Sequence, residues 1–235
     1  MLRRVFFTII LFALLAGCMY PDELRQENQI PPGEWIGVVQ RAVEQFQKDT
    51  GVLPLKTRPA DTPIYEKYVI DFGKLLGTYL GTLPANAFEN GGNYLYVLVT
   101  PQTLPQVKLL DLPVLQRIGD VQKEVDQYRL SKGKLPLGEP VAPHFYVLDF
   151  GQLNMEPVQV KSFYSGLFLT LIVHESGTVA IDYAPDIMKA LSSKGENLID
   201  PKKDLRELLV EQSYFVPVRS FPYYLKNNEP LISEK

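Results

Sequence analysis

Two stretches of the chain share one pattern of apolar and polar positions, and they lie about one domain-length apart. In the first, apolar side chains recur at helical spacing over residues 35–46, and Gly51 stands where a glycine commonly ends a helix. In the second, the same spacing runs over residues 118–128, and Gly133 follows. The pattern predicts an amphipathic helix at the start of each stretch, with its apolar stripe in the core.

A Leu-Pro-Leu segment follows each glycine, at residues 53–55 and again at 135–137. Proline prevents the helix from continuing, so the chain is expected to become extended there. Short runs that are rich in β-branched and aromatic residues then predict about three strands in each stretch. The predicted strands are 68–72, 94–100 and 107–110 in the first stretch, and 145–150, 167–173 and 178–182 in the second.

This order predicts an α+β fold of tandem duplicated modules, each made of a helix plus an antiparallel sheet. The predicted modules are residues 34–115 and 116–195. The remaining residues, 196–235, begin with a helical pattern over 201–212, and Asp200 is its candidate N-cap. Two interpretations of this end stay open, a shortened third copy and a hairpin that covers an edge of the sheet.

The chain begins with a charged segment and an uninterrupted apolar run over residues 5–15. The run is too short to span a bilayer comfortably, and small residues follow it, so residues 1–17 have the layout of a secretory signal. The ending Leu15-Ala16-Gly17-Cys18 resembles the bacterial lipobox, in which the cysteine is diacylated and the preceding residues are removed. Cys18 is therefore the candidate lipidation site. The alternative is a plain signal peptide or a short membrane anchor with an incidental cysteine.

Residues 18–33 are polar, contain three prolines and show no apolar period, which predicts an extended tether. Four segments read Cys18-Met19-Tyr20-Pro21, Glu27-Asn28-Gln29-Ile30-Pro31, Ala60-Asp61-Thr62-Pro63-Ile64-Tyr65 and Lys108-Leu109-Leu110-Asp111. They resemble the YphF-type lipoproteins of Gram-positive bacilli, and the similarity runs over most of the mature chain. That family has no established activity, although some members carry the label of an ABC-transporter binding protein. The resemblance implies a single-membrane host and retention on the outer face of the cytoplasmic membrane.

Composition narrows the chemistry that the mature chain can carry out. Cys18 is the only cysteine, so a lipidated chain has no thiol left for a disulfide, a metal site or nucleophilic catalysis. The formal net charge is −3, and it becomes more negative when the arginine-containing residues 1–17 are removed. A mildly acidic chain without a dense basic run lacks the electrostatic footprint of a nucleic-acid-binding protein.

Three short motifs invite a chemical interpretation. Asp71-Phe72-Gly73 and Asp149-Phe150-Gly151 spell the metal-binding triplet of protein kinases, but the other kinase motifs are missing, so each predicts an aspartate that caps a turn. His174-Glu175-Ser176-Gly177 holds three catalytic residue types, yet sequence neighbours rarely converge as a triad, and a hairpin turn is predicted instead. No HExxH spacing is present. We therefore expect no catalytic residues, no metal and no cofactor.

The sequence predicts a membrane-anchored extracytoplasmic lipoprotein, held on the cell membrane through diacylglyceryl-modified Cys18. Its expected role is a non-enzymatic binding or interaction module of the cell envelope, with an envelope protein or wall component as partner. The alternative is a solute-binding lipoprotein associated with an ABC transporter, with its pocket in a cleft between the two units.

Binding residues are expected where the two copies differ, since duplicated modules keep the residues that folding needs and loops tolerate differences best. The clearest differences are the segment 57–66, the loop 86–93 and the aromatic tail 215–224. Their apolar and turn-forming side chains favour a partner-facing groove, with ordinary turns and packing as the alternative. The candidate ligand-binding residues are Tyr65, Phe88, Asn90 and Tyr223.

Overall fold

A computed structural model of the chain describes residues 32–100, 102–194, 200 and 202–234. The predicted signal segment, Cys18 and nearly all of the tether lie outside the described residues. The helices are α1 (Pro32–Thr50), α2 (Ile64–Lys67), α3 (Leu112–Lys132), α4 (Phe150–Leu153), α5 (Ala184–Lys194) and α6 (Arg206–Gln212). The strands are β1 (Tyr94–Val99), β2 (Gln106–Asp111), β3 (Leu137–Ala142), β4 (Phe145–Leu148), β5 (Val160–Lys161), β6 (Phe168–Leu169), β7 (Leu171–His174), β8 (Val179–Ile181), β9 (Tyr223–Lys226) and β10 (Glu229–Ile232).

The mixture of helices and small antiparallel sheets confirms the predicted α+β class. Strands β3, β4, β7 and β8 form a four-stranded antiparallel sheet in the order β3-β4-β7-β8. The pairs β1–β2, β5–β6 and β9–β10 are antiparallel two-stranded sheets. Within the described ranges, no helix is long and apolar enough to cross a bilayer.

The two long helices end as the glycine pattern predicts. Gly51 follows α1 with φ +74°, and its N–H donates a hydrogen bond to the Gln47 carbonyl at 2.8 Å. Gly133 follows α3 with φ +68°, and its N–H donates to the Arg129 carbonyl at 2.9 Å. A left-handed residue at this position satisfies the last free carbonyls of a helix, and glycine adopts that conformation without a steric penalty.

The chain after each long helix is held in the same way in both units. The N–H of Asp71 donates to the Pro54 carbonyl at 2.8 Å, and the N–H of Asp149 donates to the Pro136 carbonyl at 3.0 Å. Each aspartate carboxylate then accepts a hydrogen bond from a backbone N–H two or three residues later, at 3.1 and 3.2 Å. Both kinase-like triplets are therefore capped turns, as predicted.

A glutamine on each long helix makes the same hydrogen bonds to the hairpin that follows. Oε1 of Gln40 accepts from the Val107 N–H at 2.8 Å, and Oε1 of Gln122 accepts from the Val179 N–H at 2.7 Å. Nε2 of each glutamine also donates to a backbone carbonyl just before that strand, at 2.9 Å in both units. These two glutamine clamps tie α1 to β2 and α3 to β8.

Replacing either clamp should destabilise the protein. In Gln40→Ala and Gln122→Ala a partly buried valine N–H loses its partner, which costs about 1–3 kcal/mol of unfolding free energy in each variant. Gln116→Ala, at an exposed position of α3, is the control and should change stability by less than about 0.5 kcal/mol. Urea unfolding measures the unfolding free energy of all three variants. Two clamp variants as stable as the control would mean that the clamps contribute nothing.

Two predicted strands are wrong in extent, while β1, β2, β4 and β8 lie within the predicted ranges or within one residue of them. The range 68–72 contributes only isolated bridges, because the turn capped by Asp71 follows at once. The range 167–173 is divided at Thr170, because β6 pairs with β5 whereas β7 pairs with β4. Long-range pairing rather than local preference sets these boundaries.

The C-terminal helix begins later than predicted. It starts at Arg206, and the candidate N-cap Asp200 accepts a hydrogen bond from the Lys202 N–H at 3.0 Å in a separate turn. The chain after the helix runs parallel to β2, where the Leu109 N–H donates to the Tyr214 carbonyl at 2.8 Å. It then passes β8, whose last N–H donates to the Arg219 carbonyl at 2.9 Å. This segment covers the free edges of both hairpins, whereas the C-terminal hairpin β9–β10 forms a two-stranded sheet of its own.

Two hydrophobic clusters form the core, and β1 separates them. Tyr96 and Leu98 join the cluster beneath α1, whereas Val97 and Val99 join the larger cluster around α3. Successive side chains of a strand point to opposite faces, so β1 is covered on both sides. The β1–β2 hairpin therefore joins the first unit to the rest of the molecule.

Candidate functional site

A pocket of about 320 Å³ lies where the first unit meets the C-terminal helix, and we term it the Tyr65 pocket. Its volume is at the lower end of the range for small-molecule sites. Helix α2, the end of β1, the start of β2 and helix α6 contribute its walls. Aromatic and aliphatic lining is provided by Ile64, Tyr65, Tyr68, Val99 and Val210, polar lining by Thr100, Gln102 and Gln106, and acidic lining by Asp204, Glu207 and Glu211.

Tyr65 provides the aromatic wall of the pocket. The Arg206 guanidinium lies over its ring, 5.0 Å from the centroid, and holds the ring in place by a cation–π contact. Burial raises the pKa of Tyr65 above its ordinary value, and the charge of Arg206 offsets part of that shift. The hydroxyl group therefore stays protonated and can donate a hydrogen bond.

Arg206 is itself fixed by a buried ion pair with Asp204. Its Nε and Nη2 atoms donate to the Asp204 carboxylate at 2.9 and 2.5 Å, and its Nη1 atom donates to the Ser220 carbonyl at 2.8 Å. Arg206 is only 5% exposed, so the charge would be costly to bury without these partners. Asp204 also accepts a hydrogen bond from the Tyr223 N–H at 3.3 Å. The network fixes the first turn of α6 against the pocket.

Lys108 on β2 fixes the other end of α6. Its Nζ atom donates to the Val210 carbonyl at 2.6 Å and to the Ser213 carbonyl at 2.7 Å. Burial lowers the pKa of Lys108. A cation at a helix C-terminus satisfies free carbonyls and interacts favourably with the helix dipole. Because α6 is held at both ends, the position of its acidic side chains is preorganised.

The ionisable side chains of the pocket wall are all carboxylates apart from the tyrosine hydroxyls. The Asp204 carboxylate is neutralised by Arg206. The Lys203 ammonium group lies 4.0 Å from Glu207, but this ion pair is exposed and contributes little to stability. Glu207 thus presents a carboxylate next to the apolar wall of Tyr65, while Glu211 interacts electrostatically with the Lys108 ammonium group. This combination favours a ligand that carries a cationic group beside an apolar part.

Thr100 stands at the rim of the pocket in a strained conformation. Its φ is +49°, in the left-handed region that a β-branched residue rarely adopts. Its Oγ1 atom donates to the Leu104 carbonyl at 2.6 Å, which holds the loop between β1 and β2. Strain of this kind is often found at functional sites, so the rim loop is a second sign of function at this pocket.

Comparison with known families identifies the first unit. Residues 33–111 match the model of the YphF family N-terminal domain. The first unit is thus similar to the N-terminal domain of YphF-type proteins. The match covers the first unit through the end of β2, so the Tyr65 pocket joins the matched segment to residues outside it. No curated protein and no solved structure matches the chain.

The four candidate binding residues do not come together. Tyr65 lines the pocket, but Tyr223 is only 1% exposed, and its hydroxyl group donates to Asp182 at 2.9 Å as a core residue. The burial of Tyr223 excludes the partner-facing position expected for its side chain. Phe88 and Asn90 are exposed on a separate turn and do not line the Tyr65 pocket.

Sequence reasoning missed the acidic wall of the pocket. Asp204, Glu207 and Glu211 are spaced by three and four residues, which places them along one side of a helix. That spacing was a usable signal, but an acidic row on a helix is usually a solvated face. Only the packing of α6 against the first unit turns the row into a pocket wall.

The segment His174-Glu175-Ser176-Gly177 is the hairpin turn that the sequence predicts. The Gly177 N–H donates to the His174 carbonyl at 2.8 Å, and Gly177 has φ +97°. The fold brings the His174 ring within 6.4 Å of the His144 ring, and a hydrogen bond to Glu175 raises the pKa of His144. Even so, the described part of the chain holds no group of three or more metal-ligating side chains in a metal-binding arrangement.

Proposed function

We propose that this protein is a membrane-anchored extracytoplasmic lipoprotein whose Tyr65 pocket binds a partner in the cell envelope. Diacylglyceryl-modified Cys18 would hold it on the outer face of the cell membrane of a Gram-positive bacillus. The signal layout of residues 1–17, the lipobox-like ending and the family match all support this proposal. The predicted tether, shortened to residues 18–31 because α1 begins at Pro32, would leave the folded part free to reach its partner.

The observation that carries the proposal is a preorganised pocket that combines a neutral tyrosine with an acidic helix face. A basic side chain or free amine of an envelope protein or wall peptide fits that chemistry, since its ammonium group would lie near Glu207. Its apolar stem would pack on the aromatic ring of Tyr65. Preorganisation lowers the entropic cost of binding, because α6 is already held at both ends.

Binding without catalysis is the simplest use of this site. The described lining has no serine, cysteine, histidine or lysine side chain to serve as a nucleophile or a base with a shifted pKa. Its carboxylates lie on or beside a single helix, whereas paired acid–base catalysis needs groups on both sides of a reacting atom. These features favour a binding module.

A solute-binding role with an ABC transporter is the second candidate. The pocket volume of about 320 Å³ suits a small amine. The pocket lies between the first unit and the C-terminal helix, however, and the solute hypothesis expected a cleft between the two units. We therefore place envelope-partner binding first.

We also propose that the two units derive from a tandem duplication. The capped turns, the glycine helix ends and the two glutamine clamps support it, because unrelated segments would not share all three. Equal losses of stability in Gln40→Ala and Gln122→Ala are the expected result. Clearly unequal losses of stability in the two variants would count against structural equivalence of the two clamps.

The pocket proposal is tested by reversing one charge. We expect Glu207→Lys to lower partner recovery from crosslinked membranes roughly tenfold, because it places an ammonium group where the ligand cation should lie. Glu124→Lys, an exposed change on α3, is the matched control and should leave recovery unchanged. A thermal-shift screen of small amines, run on both variants, tests the solute alternative.

The outcomes separate the two candidate functions. Loss of a crosslinked partner in Glu207→Lys alone would support envelope-partner binding. A small amine that stabilises the native protein but not Glu207→Lys would support the solute role instead. Identical behaviour of Glu207→Lys and Glu124→Lys in both assays would remove the Tyr65 pocket from consideration.

A further inference from the structure

Four large apolar side chains are exposed around the β5–β6 hairpin, and we term them the hairpin patch. They are Phe163, Leu167, Phe168 and Tyr214, with exposed fractions between 47% and 64%. The Phe163 ring stacks on Phe215 with 3.8 Å between ring centroids, which joins the hairpin to the segment containing Tyr214. Isolated apolar side chains on a surface are ordinary, but a joined group of this kind marks an interaction site.

The hairpin patch lies beside the start of the described chain. Gly33, at the beginning of α1, packs against the Tyr214 ring so closely that a Cβ atom on Gly33 would lie 2.6 Å from the tyrosine hydroxyl oxygen. The residues that precede Gly33 contain the tether and Cys18. The chain therefore leads from the lipidation site to the edge of the patch.

Two lysines flank the aromatic side chains. Lys161 is exposed and pairs with Phe168 across the hairpin. Lys189 on α5 is also exposed, and its Nζ atom donates to the Ser165 carbonyl in the hairpin loop at 3.3 Å. Aromatic side chains with neighbouring lysines suit the interface of a bilayer, where rings enter the headgroup region and ammonium groups meet lipid phosphates.

We propose that the hairpin patch docks on the lipid surface and so orients the folded part of the protein against the membrane. This inference rests on the lipid anchor in the proposed function. Residues 19–31 separate Cys18 from α1, and a chain of that length spans at most about 45 Å. A tether this short gives an effective concentration in the millimolar range, so a weak contact with the bilayer is enough to be populated.

The test uses the full lipidated chain in vesicles of phosphatidylcholine and phosphatidylglycerol. Because acylation occupies Cys18, Leu167→Cys introduces the one free thiol, to which an environment-sensitive fluorophore is attached. Lipids that carry a nitroxide then quench the probe if it touches the bilayer. We expect quenching at least about twofold stronger than at a control position far from the membrane.

Leu130→Cys is the matched control, since Leu130 is also a leucine and is 87% exposed. Phe163 shares a small cavity with Val114 near the start of α3, and Leu130 lies about 24 Å farther along that helix. Adding Phe163→Ser and Phe168→Ser to the labelled Leu167→Cys chain should reduce its quenching to the control level, because the rings that hold the loop on the lipid are gone.

Each outcome bears on a definite claim. Equal quenching at both labelled positions, in protein that floats with the vesicles, would overturn docking of the hairpin patch and leave the lipid anchor intact. Failure of the chain to float would overturn the anchor and this inference together. Loss of a protein crosslink in the Phe163→Ser, Phe168→Ser chain, combined with equal quenching, would mean that a protein and not lipid covers the patch.

Discussion

Cys18→Ala should abolish incorporation of a radiolabelled fatty acid and remove the protein from its place on the membrane. The thiol of Cys18 is the only one in the chain, so no other side chain can take the thioether-linked diacylglyceryl group. The apolar run of residues 5–15 is too short to span a bilayer comfortably. Loss of two acyl chains should therefore convert stable anchoring into release or mislocalisation, since even a single myristoyl chain binds only marginally, at about 10⁴ M⁻¹.

Fractionation after a high-salt wash measures this change, because salt removes proteins that are held by surface charge alone. Met19→Ala is the matched control, as it alters the neighbouring side chain and keeps the thiol. It should retain the fatty-acid label and the membrane fraction. A Cys18→Ala protein that stays membrane-bound after the wash would show that the lipobox interpretation is wrong. Contact between the hairpin patch and the bilayer is too weak to hold the protein on the membrane once the lipid anchor is lost.

Asp204→Ala should lower the free energy of unfolding by about 3–5 kcal/mol, because it leaves the Arg206 charge buried without its partner. Three guanidinium hydrogen bonds end on this carboxylate, and the backbone N–H groups of Arg206 and Tyr223 also donate to it. Loss of the carboxylate would also release the first turn of α6 and with it one wall of the Tyr65 pocket. Urea unfolding, monitored by far-ultraviolet circular dichroism, gives the magnitude.

Asp120→Ala is the matched control for this prediction. Asp120 pairs with Lys123 at 2.7 Å, but both side chains are 72% exposed, so the pair contributes less than about 1 kcal/mol. If the two alanine variants unfolded at the same urea concentration, the buried network would not be what holds α6. The unfolding free energy of Asp204→Asn should lie between those of Asp204→Ala and Asp120→Ala. An amide oxygen can still accept one hydrogen bond but carries no charge.

Local features of the fold could be predicted from the sequence because they depend on neighbours within a few residues. Gly51 and Gly133 end helices because glycine tolerates a positive φ, and Asp71 and Asp149 cap turns because a short carboxylate reaches the next backbone N–H groups. The apolar stripe of each long helix indicates its buried face in the same way. The repeated pattern thus pointed to both long helices and to the capped turns that follow them.

The candidate site could be predicted only in part, because its walls come from distant segments. Tyr65 stood out as a tyrosine in a segment where the copies differ, and it does line the pocket. Phe88 and Tyr223 stood out for similar reasons, but one is exposed elsewhere and the other lies in the core. Aromatic side chains suit a core, a surface or a pocket equally well, so residue type alone cannot assign the location.

The sequence by itself determined the α+β class, the glycine ends of the two long helices, the capped turns and the hairpin between β7 and β8. Each follows from short-range sterics or from hydrophobic periodicity. Only the tertiary structure decided that α6 packs beside Tyr65, that the C-terminal segment covers the edges of both hairpins and that the hairpin patch lies next to Gly33. These contacts join residues far apart in the chain, and they depend on the packing of whole elements rather than on any local preference.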